Sequence, residues 1–464
     1  MPACLTRRAL GVACALLAAP ICLAQPAPPS PENLGAQVDV IAKQAVDSAP
    51  GVGLSVAVLR DGQSLLERGY GLADLEFGAP ADGETMFRIG SITKQFTAAL
   101  VMRQVEAGAL SLDDPLTKFF PDWPAPGERV TIRHLLQHTS GIKSYTGIGS
   151  FMEAFQVDRT NEEMLAVFRD EAWDFEPGDA WSYNNSGYYL LGVILEQLAG
   201  APWAAQVNAL AQELGLARTM VDDNDAVLAN RAQGYAWSGD SFVNDRFISP
   251  TVPGAAGAML STAGDLVRWS EMLATEQVVS AESYALMTTP TTLNDGSTFP
   301  YGFGLMVEPV EERDAVGHGG GIFGFNSFLL RIPGDDGLTV AVISNSETLP
   351  SDASAMKILR AALGIEAPEA APTDADLLAS VQGVYRIDAV GLEVRVFLRD
   401  GELFTKAGDQ PAFAMIHEGA GVFRLDLGQR IELAFDLSAS PAPGFTLRQG
   451  GSALSALRVD APGE

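Results

Sequence analysis

A serine and a lysine three residues apart are the clearest chemical feature of this 464-residue sequence. They lie in Gly90-Ser91-Ile92-Thr93-Lys94, and the apolar residues that follow cover most sides of a predicted buried helix. Residues three apart share a helical face, so the Lys94 amine is expected to reach the Ser91 hydroxyl. Serine becomes nucleophilic when a neighbour takes its proton, and burial or a helix start lowers the pKa of a lysine enough for that task. The pair predicts an acyl-serine intermediate.

The same spacing occurs twice more, and the surroundings distinguish the three pairs. Ser140 and Lys143 lie in a turn-rich stretch without helical periodicity. Ser354 and Lys357 lie on a predicted amphipathic helix over residues 352–363, where we expect a solvated surface pair. Only Ser91 and Lys94 start a buried helix.

Two further segments place hydroxyl, amide and glycine residues in a pattern with chemical meaning. They are Tyr183-Asn184-Asn185 and, much later, His318-Gly319-Gly320-Gly321. Each alone is a common turn sequence, but in this order after Ser91 they predict an enzyme site.

The three segments together resemble the serine β-lactamase and penicillin-binding-protein superfamily over residues 34–363. The likeness is greatest to the branch of class C β-lactamases, esterases, DD-carboxypeptidases and D-amino-acid peptidases, which Leu135-Leu136-Gln137-His138-Thr139-Ser140-Gly141 also resembles.

The resemblance implies a role for each of these residues. Ser91 attacks a carbonyl, Lys94 and Tyr183 move protons, and the Asn185 amide holds the Lys94 ammonium or a substrate carbonyl. The backbone amides of Ser91 and Gly321 stabilise the oxyanion. The resemblance also implies that Asn185 and the third segment, His318, Gly319, Gly320 and Gly321, bind the substrate.

The third segment departs from the β-lactamase pattern, which usually has a lysine at the position of His318. That lysine helps to hold the substrate carboxylate, whereas histidine is largely neutral at pH 7. We therefore expect a hydrolase of small esters or D-amino-acid peptides. A true class C-type β-lactamase or DD-carboxypeptidase remains an alternative, and so does an inactive penicillin-binding-like sensor.

The sequence gives weaker support for other functional sites. His134 and His138 have the spacing of zinc ligands, but no glutamate follows His134 and neither a metal nor a cofactor is expected. His417 has no evident partner in the sequence. Asp222-Asp223-Asn224-Asp225 lacks the glycine and glutamate of a calcium loop, so we expect a solvated turn. The Gly-x-Ser-x-Gly pattern of α/β-hydrolases is absent.

The predicted elements suggest how the chain brings these segments together. A helix is predicted over 34–49, a hairpin over 51–71, mostly helix over 91–273, a strong strand over 338–343 and a helix over 352–363. The fold class is therefore α/β, a β-lactamase-like antiparallel sheet with flanking terminal helices and a largely helical insertion. The site would lie in the crevice between sheet and insertion.

Composition divides the rest of the chain. Residues 1–24 read as a signal peptide with a twin-arginine-like start, and 25–33 as a flexible lead-in. The hydrolase domain is predicted over 34–366, a linker over 367–375, and an all-β, lipocalin-like barrel over 376–464.

Charge and cysteine content limit the partners. A formal charge of −28 disfavours nucleic acid and anionic lipid. All three cysteines lie within 1–24, so the exported protein would have no disulfide and no thiol nucleophile. No later stretch is long and apolar enough to span a membrane. The sequence predicts a periplasmic or secreted enzyme acting on a small ester, amide or peptide.

Overall fold

The computed structural model describes residues 29–49, 52–149, 151, 155–334, 337–349, 351–365, 371–389, 391–399, 401–408, 413–426, 430–449 and 452–459. The predicted signal peptide and residues 367–370 of the predicted linker lie outside these residues. No helix in these ranges combines the length and the apolar character that crossing a membrane requires.

The helices follow the predicted order along the chain. They are α1 Pro31–Ser48, α2 Thr93–Glu106, α3 Ile132–Leu136, α4 Asn161–Phe168, α5 Asn185–Ala199, α6 Trp203–Glu213, α7 Ala263–Ala274, α8 Ala281–Met287, α9 Ser351–Leu363 and α10 Ala375–Val381. Short 3-10 turns lie at Gly90–Ile92, Leu116–Lys118, Gly127–Arg129, Tyr145–Gly147 and Gly254–Ala256.

The main sheet joins strands from both ends of the hydrolase region, which confirms the predicted fold class. Its spatial order is Met306–Val307, Val316–Ile322, Phe325–Ile332, Leu338–Ser344, Leu54–Arg60 and Gln63–Tyr70. All pairings are antiparallel, and Val56 of the early strand lies opposite Val342 of the late one. Both strands are buried almost throughout because each face of the sheet is covered.

Two hydrophobic clusters sandwich this sheet. Helices α1 and α9 cover one face, where Val38 and Leu359 pack with Val340. The helical insertion covers the other face, where Phe96 of α2 stacks on Trp269 of α7 with ring centroids 3.8 Å apart. Helix α2 therefore lies between the sheet and the other helices, which agrees with its apolar residues on most sides.

Four small sheets lie outside the main sheet within the described residues. They are Leu72–Asp74 with Ala79–Pro80, Phe87–Arg88 and Met220–Val221 with Met259–Ser261, Tyr235–Trp237 with Phe242–Asn244, and Thr291–Thr292 with Thr298–Phe299.

The C-terminal strands close into an eight-stranded antiparallel barrel within the described residues. The strands are Gly383–Ile387, Leu392–Arg399, Glu402–Ala407, Phe413–Gly419, Val422–Asp426, Arg430–Phe435, Gly444–Gln449 and Ser452–Arg458. The barrel was expected, but helix α10, whose Val381 is buried in the barrel core, was not. The boundaries of the hydrolase and barrel domains remain a prediction.

The interpretations of Asp222 and of His417 were wrong. Asp222 is not part of a solvated turn, because it is buried and pairs with Arg88 at 2.7 Å and Arg231 at 2.9 Å. His417 does have partners, since its ring stacks on Phe423 and its Nδ1 lies 3.2 Å from the Thr373 hydroxyl.

Candidate active site

Ser91 and Lys94 come together where a 3-10 turn leads into α2. Ser91 lies in the turn Gly90–Ile92, and Lys94 lies in the first helical turn that follows. The Lys94 Nζ atom is 3.2 Å from the Ser91 hydroxyl. Lys94 has no exposed surface, whereas Ser91 is partly exposed and lines a cavity. The nucleophile is accessible while its neighbour is shielded from water.

The contacts of Lys94 suit a neutral amine. Nζ donates to the Asn185 side-chain oxygen at 2.8 Å and to the Ala256 carbonyl at 2.8 Å. Both are pure acceptors, so an uncharged amine uses its two N–H groups on them and directs its lone pair to the Ser91 hydroxyl. Burial lowers the pKa of Lys94 well below its usual range, which favours this neutral form.

Tyr183 lies beside the pair. Lys94 Nζ lies 4.7 Å from the centre of its ring. Its buried hydroxyl makes no hydrogen bond of standard geometry with a described residue. Burial raises the pKa of Tyr183 above its usual value, and the nearby Ser91 hydroxyl opposes that shift. The phenol is therefore held neutral next to the nucleophile.

The start of α5 positions Asn185. Asn184 caps the helix, because its side-chain oxygen accepts a hydrogen bond from the Gly187 amide at 2.9 Å. Asn184 thus fixes the first turn of the helix on which Asn185 lies. The Asn185 amide nitrogen donates to the Thr146 hydroxyl at 3.2 Å, which leaves the amide oxygen turned to Lys94.

The glycines of the strand Val316–Ile322 have different functions. A methyl group added to Gly90, whose φ is +48°, would lie 2.9 Å from the Gly321 nitrogen, so the Ser91 turn and Gly321 are in direct contact. A methyl group on Gly320 would lie 2.1 Å from the Ile89 carbonyl oxygen, whereas one on Gly321 would meet nothing within 4 Å. Gly320 permits close packing, and Gly321 faces open space.

A buried hydrogen-bonded chain links His318 to His138 through Tyr301. The Asn184 amide donates to His138 Nδ1 at 3.1 Å, so the ring proton of a neutral His138 is on Nε2, 3.0 Å from the Tyr301 hydroxyl. That hydroxyl lies 2.9 Å from His318 Nε2 and can donate to it. His318 Nδ1 then donates to the Gly319 carbonyl. The contacts thus accommodate a proton arrangement in which both histidines are neutral.

Burial enforces this neutral state. Burial is the largest cause that lowers the pKa of His318 to about 4, and burial likewise lowers the pKa of His138 well below its usual range. His138 also has a φ of +62°, an uncommon conformation for a residue with a side chain. The chain joins the start of α5 to the glycine-rich strand.

A cavity of about 240 Å³ opens at Ser91. Its walls are largely apolar, and Glu347 is the charged side chain among the described residues that line it. Phe151, Phe155 and Val252 contribute to these apolar walls. No lysine or arginine of the described residues faces this space.

The remaining sequence candidates have other contacts. Lys143 pairs with Asp174 at 2.7 Å, and the buried Ser140 hydroxyl accepts from the Ile142 amide at 3.3 Å. His134 caps α3 through its ring nitrogen. Ser354 is buried on α9 rather than solvated, which corrects the surface-pair expectation for that residue. Within the described ranges, no cluster of three or more His, Cys, Asp or Glu side chains could hold a metal ion.

Sequence reasoning missed Tyr301, Ala256 and Glu347. Ala256 acts through its backbone, which no side-chain pattern reveals. Tyr301 lies 163 residues from His138, and its sequence neighbours give no motif. Glu347 lies four residues after the end of the strand predicted over 338–343, which could have suggested a position at the sheet edge.

Comparison with known proteins decides the family. The family model described as Beta-lactamase matches residues 38–365. The chain belongs to the beta-lactamase family. Its relatives in this family of serine hydrolases include a D-aminopeptidase of Gluconobacter oxydans, 29% identical over 354 residues, which cover 75% of this chain and 65% of that protein. Esterase EstB of Burkholderia gladioli is 37% identical over 199 residues, 40% of this chain and 50% of EstB. The chain thus spans less than two thirds of each of these relatives.

A solved structure of the family matches the chain over most of its length. The octameric penicillin-binding protein homologue from Pyrococcus abyssi is similar with a TM-score of 0.68 and 26% identity, covering 91% of this chain and 99% of that one. The resemblance therefore extends beyond the residues that the family model matches.

Proposed function

We propose that the protein hydrolyses a small ester or an amide of D-amino-acid peptide type through an acyl intermediate on Ser91. The hydrogen bonds of Lys94 carry this proposal. Because two fixed acceptors occupy its N–H groups, the amine lone pair is left to accept the Ser91 proton as Oγ attacks the carbonyl carbon.

Tyr183 completes the proton path in this proposal. Its neutral phenol gives a proton to the leaving ester oxygen or amide nitrogen, and the Lys94 ammonium resupplies it. The backbone amides of Ser91 and Gly321 hold the oxyanion, a role that the contact between Gly90 and Gly321 supports. Water then attacks the acyl-serine and the same groups return the proton.

The charges around the cavity favour this substrate class over β-lactams. A β-lactam carboxylate needs a cation, but His318 is neutral and both of its ring nitrogens are engaged within the protein. The Glu347 carboxylate would repel such a substrate and attract an amino group instead. The D-aminopeptidase and esterase names of two relatives agree with this choice. A β-lactamase or DD-carboxypeptidase is the second candidate.

Intact-mass measurement after incubation with a fluorophosphonate tests the nucleophile. We expect one adduct on the wild-type protein and on Ser354→Ala, the matched control from another Ser-x-x-Lys pair, but none on Ser91→Ala. An unlabelled wild-type protein would instead support the inactive-sensor alternative.

A substrate panel tests the class. We expect turnover of p-nitrophenyl butyrate or D-alanine p-nitroanilide to exceed that of nitrocefin by at least about tenfold in kcat/KM. The reverse order would favour the β-lactamase alternative.

We further propose that the protein is exported and acts in the periplasm or outside the cell, because residues 1–24 have the pattern of a signal peptide. Detection of a mature N-terminus near Gln25 in a periplasmic fraction would support this, and an intact N-terminus in the cytoplasm would contradict it.

A further inference from the structure

A second cavity lies next to the active site and has no part in the proposed reaction. Its volume is about 240 Å³, and it is bounded by the starts of α4 and α6, one side of α5, and the loop 250–255. This is below the roughly 300–1,000 Å³ of typical ligand pockets, so an occupant would have few heavy atoms.

Two residues that line this cavity have donors without a hydrogen-bond partner among the described residues. The Arg159 guanidinium makes neither a side-chain hydrogen bond nor an ion pair with any described residue, and its Nε is buried. The indole N–H of Trp203, a residue only 5% exposed, is likewise unpartnered among the described residues. Buried donors are rarely left unsatisfied, because each costs about 1–3 kcal/mol. Together they suit a carboxylate.

Two carboxylates line the same cavity, Glu196 and Asp222, and Asp222 is paired with Arg88 and Arg231. Glu196 accepts hydrogen bonds from the Asn161 side chain at 2.6 Å and from the Trp203 backbone amide at 2.9 Å. These bonds fix the Glu196 position and leave each oxygen with further accepting capacity. No ion pair within 4.0 Å joins Glu196 to Arg159. Opposite charges that share a cavity without pairing suit a ligand that carries both complementary charges.

The wall of this cavity is also a wall of the active site. Gly254 and Ala255 line the second cavity, whereas Pro253, Ala256 and Gly257 line the cavity at Ser91. These residues form one 3-10 turn with its flanks, and its Ala256 carbonyl accepts the hydrogen bond from Lys94. An occupant of the second cavity would therefore contact the segment that positions the catalytic amine.

We propose that this second cavity binds a small zwitterion, a free α-amino acid, with Arg159 and the Trp203 indole on its carboxylate and Glu196 on its ammonium group. The proposal does not depend on the reaction at Ser91. The occupant would be an effector or a released product rather than the reacting group.

Isothermal titration of the full-length protein with D-alanine and with L-alanine tests this proposal. We expect saturable binding of at least one of them to the wild-type protein, and binding weakened at least about tenfold in Arg159→Met and Glu196→Gln. Arg129→Met, which removes an exposed arginine paired with Glu176 and absent from the cavity lining, serves as the control and is expected to bind like wild type.

Acetate and methylammonium test the two charges of the ligand separately. Acetate carries only the carboxylate and methylammonium only the ammonium group, so each is expected to bind at least about tenfold more weakly than alanine. Equal binding of acetate would overturn the zwitterion assignment, since a simple anion would then suffice. No saturable binding of either alanine, or binding that Arg159→Met leaves unchanged, would overturn the site itself. The titration measures the heat of binding and needs no reaction at Ser91. A failure of the proposed acyl-enzyme chemistry can therefore be told apart from a failure of this binding proposal.

Discussion

The Nζ atom of Lys94 lies 2.8 Å from the side-chain oxygen of Asn185. Because that oxygen carries no full charge, it can hold the lysine without stabilising the ammonium form as a carboxylate would. The amide at position 185 is therefore matched to a lysine that has to be neutral before it can accept a proton.

Replacing this amide by a carboxylate tests the match. Asn185→Asp keeps the shape but puts a negative charge beside Lys94, which should raise the lysine pKa by about one to three units. We expect the acid limb of the kcat/KM–pH profile for p-nitrophenyl butyrate to move upward by the same amount, with activity recovering at higher pH. Asn208→Asp, at an exposed asparagine, adds the same charge elsewhere as a control. An unmoved acid limb in Asn185→Asp would argue against Lys94 as the base.

The Tyr301 hydroxyl should position the catalytic groups without touching substrate. Tyr301→Phe leaves His138 Nε2 and His318 Nε2 without their shared partner and loosens the link between α5 and the glycine-rich strand. We expect kcat for p-nitrophenyl butyrate to fall about tenfold, equivalent to about 1.4 kcal/mol, while KM stays within about twofold.

A matched variant separates this effect from simple loss of stability. Tyr385→Phe also removes a buried tyrosine hydroxyl, one that donates to the Val381 carbonyl at 2.8 Å in the barrel. It is expected to lower the melting temperature without changing kcat. If Tyr301→Phe lowers only the melting temperature, the hydrogen-bonded chain has no role in positioning.

The sequence was most informative where a property is local. The buried helix after Ser91 follows from its apolar residues, and the central strand follows from the run Leu338–Ile343. The resemblance placed Tyr183 and Asn185 beside Lys94, and the structure brings these side chains together.

Long-range contacts and contacts made by the backbone could not be predicted from the sequence. Nothing near Tyr301 in the sequence indicates that its hydroxyl lies between two histidines, and the Ala256 carbonyl has no side-chain signature. The strands Gly383–Ile387 and Ser452–Arg458 lie within the predicted barrel, but their apolar alternation is weak, and it is closure of the barrel that makes them pair with each other. Contacts between residues far apart in the sequence determine the position of the Tyr301 hydroxyl and the pairing of these two strands.

The buried histidines make stability depend on pH. The folded pKa of His318 is about 4, whereas an unperturbed histidine has a pKa of 6.5. Between these values the unfolded chain binds a proton that the folded chain does not, so stability is greatest above pH 6.5 and falls as the pH drops toward 4. His318 alone should contribute a loss on the order of 3 kcal/mol over this range.

Urea unfolding measured at intervals from pH 7.5 to pH 4.5 checks this expectation. The wild-type free energy of unfolding should decline toward acid pH, and His318→Gln, which cannot gain a proton, should decline less steeply. Parallel curves for the two proteins would contradict the assignment of a buried neutral imidazole.

Gly90 is the position where a single methyl group should separate activity from folding. Ala at this residue combines an unfavourable φ of +48° with a contact of 2.9 Å to the Gly321 nitrogen, so it should push apart the two proposed oxyanion donors. Gly108→Ala is the matched control, because Gly108 has a φ of +69° but open space around it. Both variants should lose about 1–2 kcal/mol of stability from backbone strain.

Only Gly90→Ala should also lose about 100- to 1,000-fold in kcat for p-nitrophenyl butyrate, the usual effect of a lost oxyanion donor. Equal kcat values in two folded variants would show that the Gly321 amide does not stabilise the oxyanion.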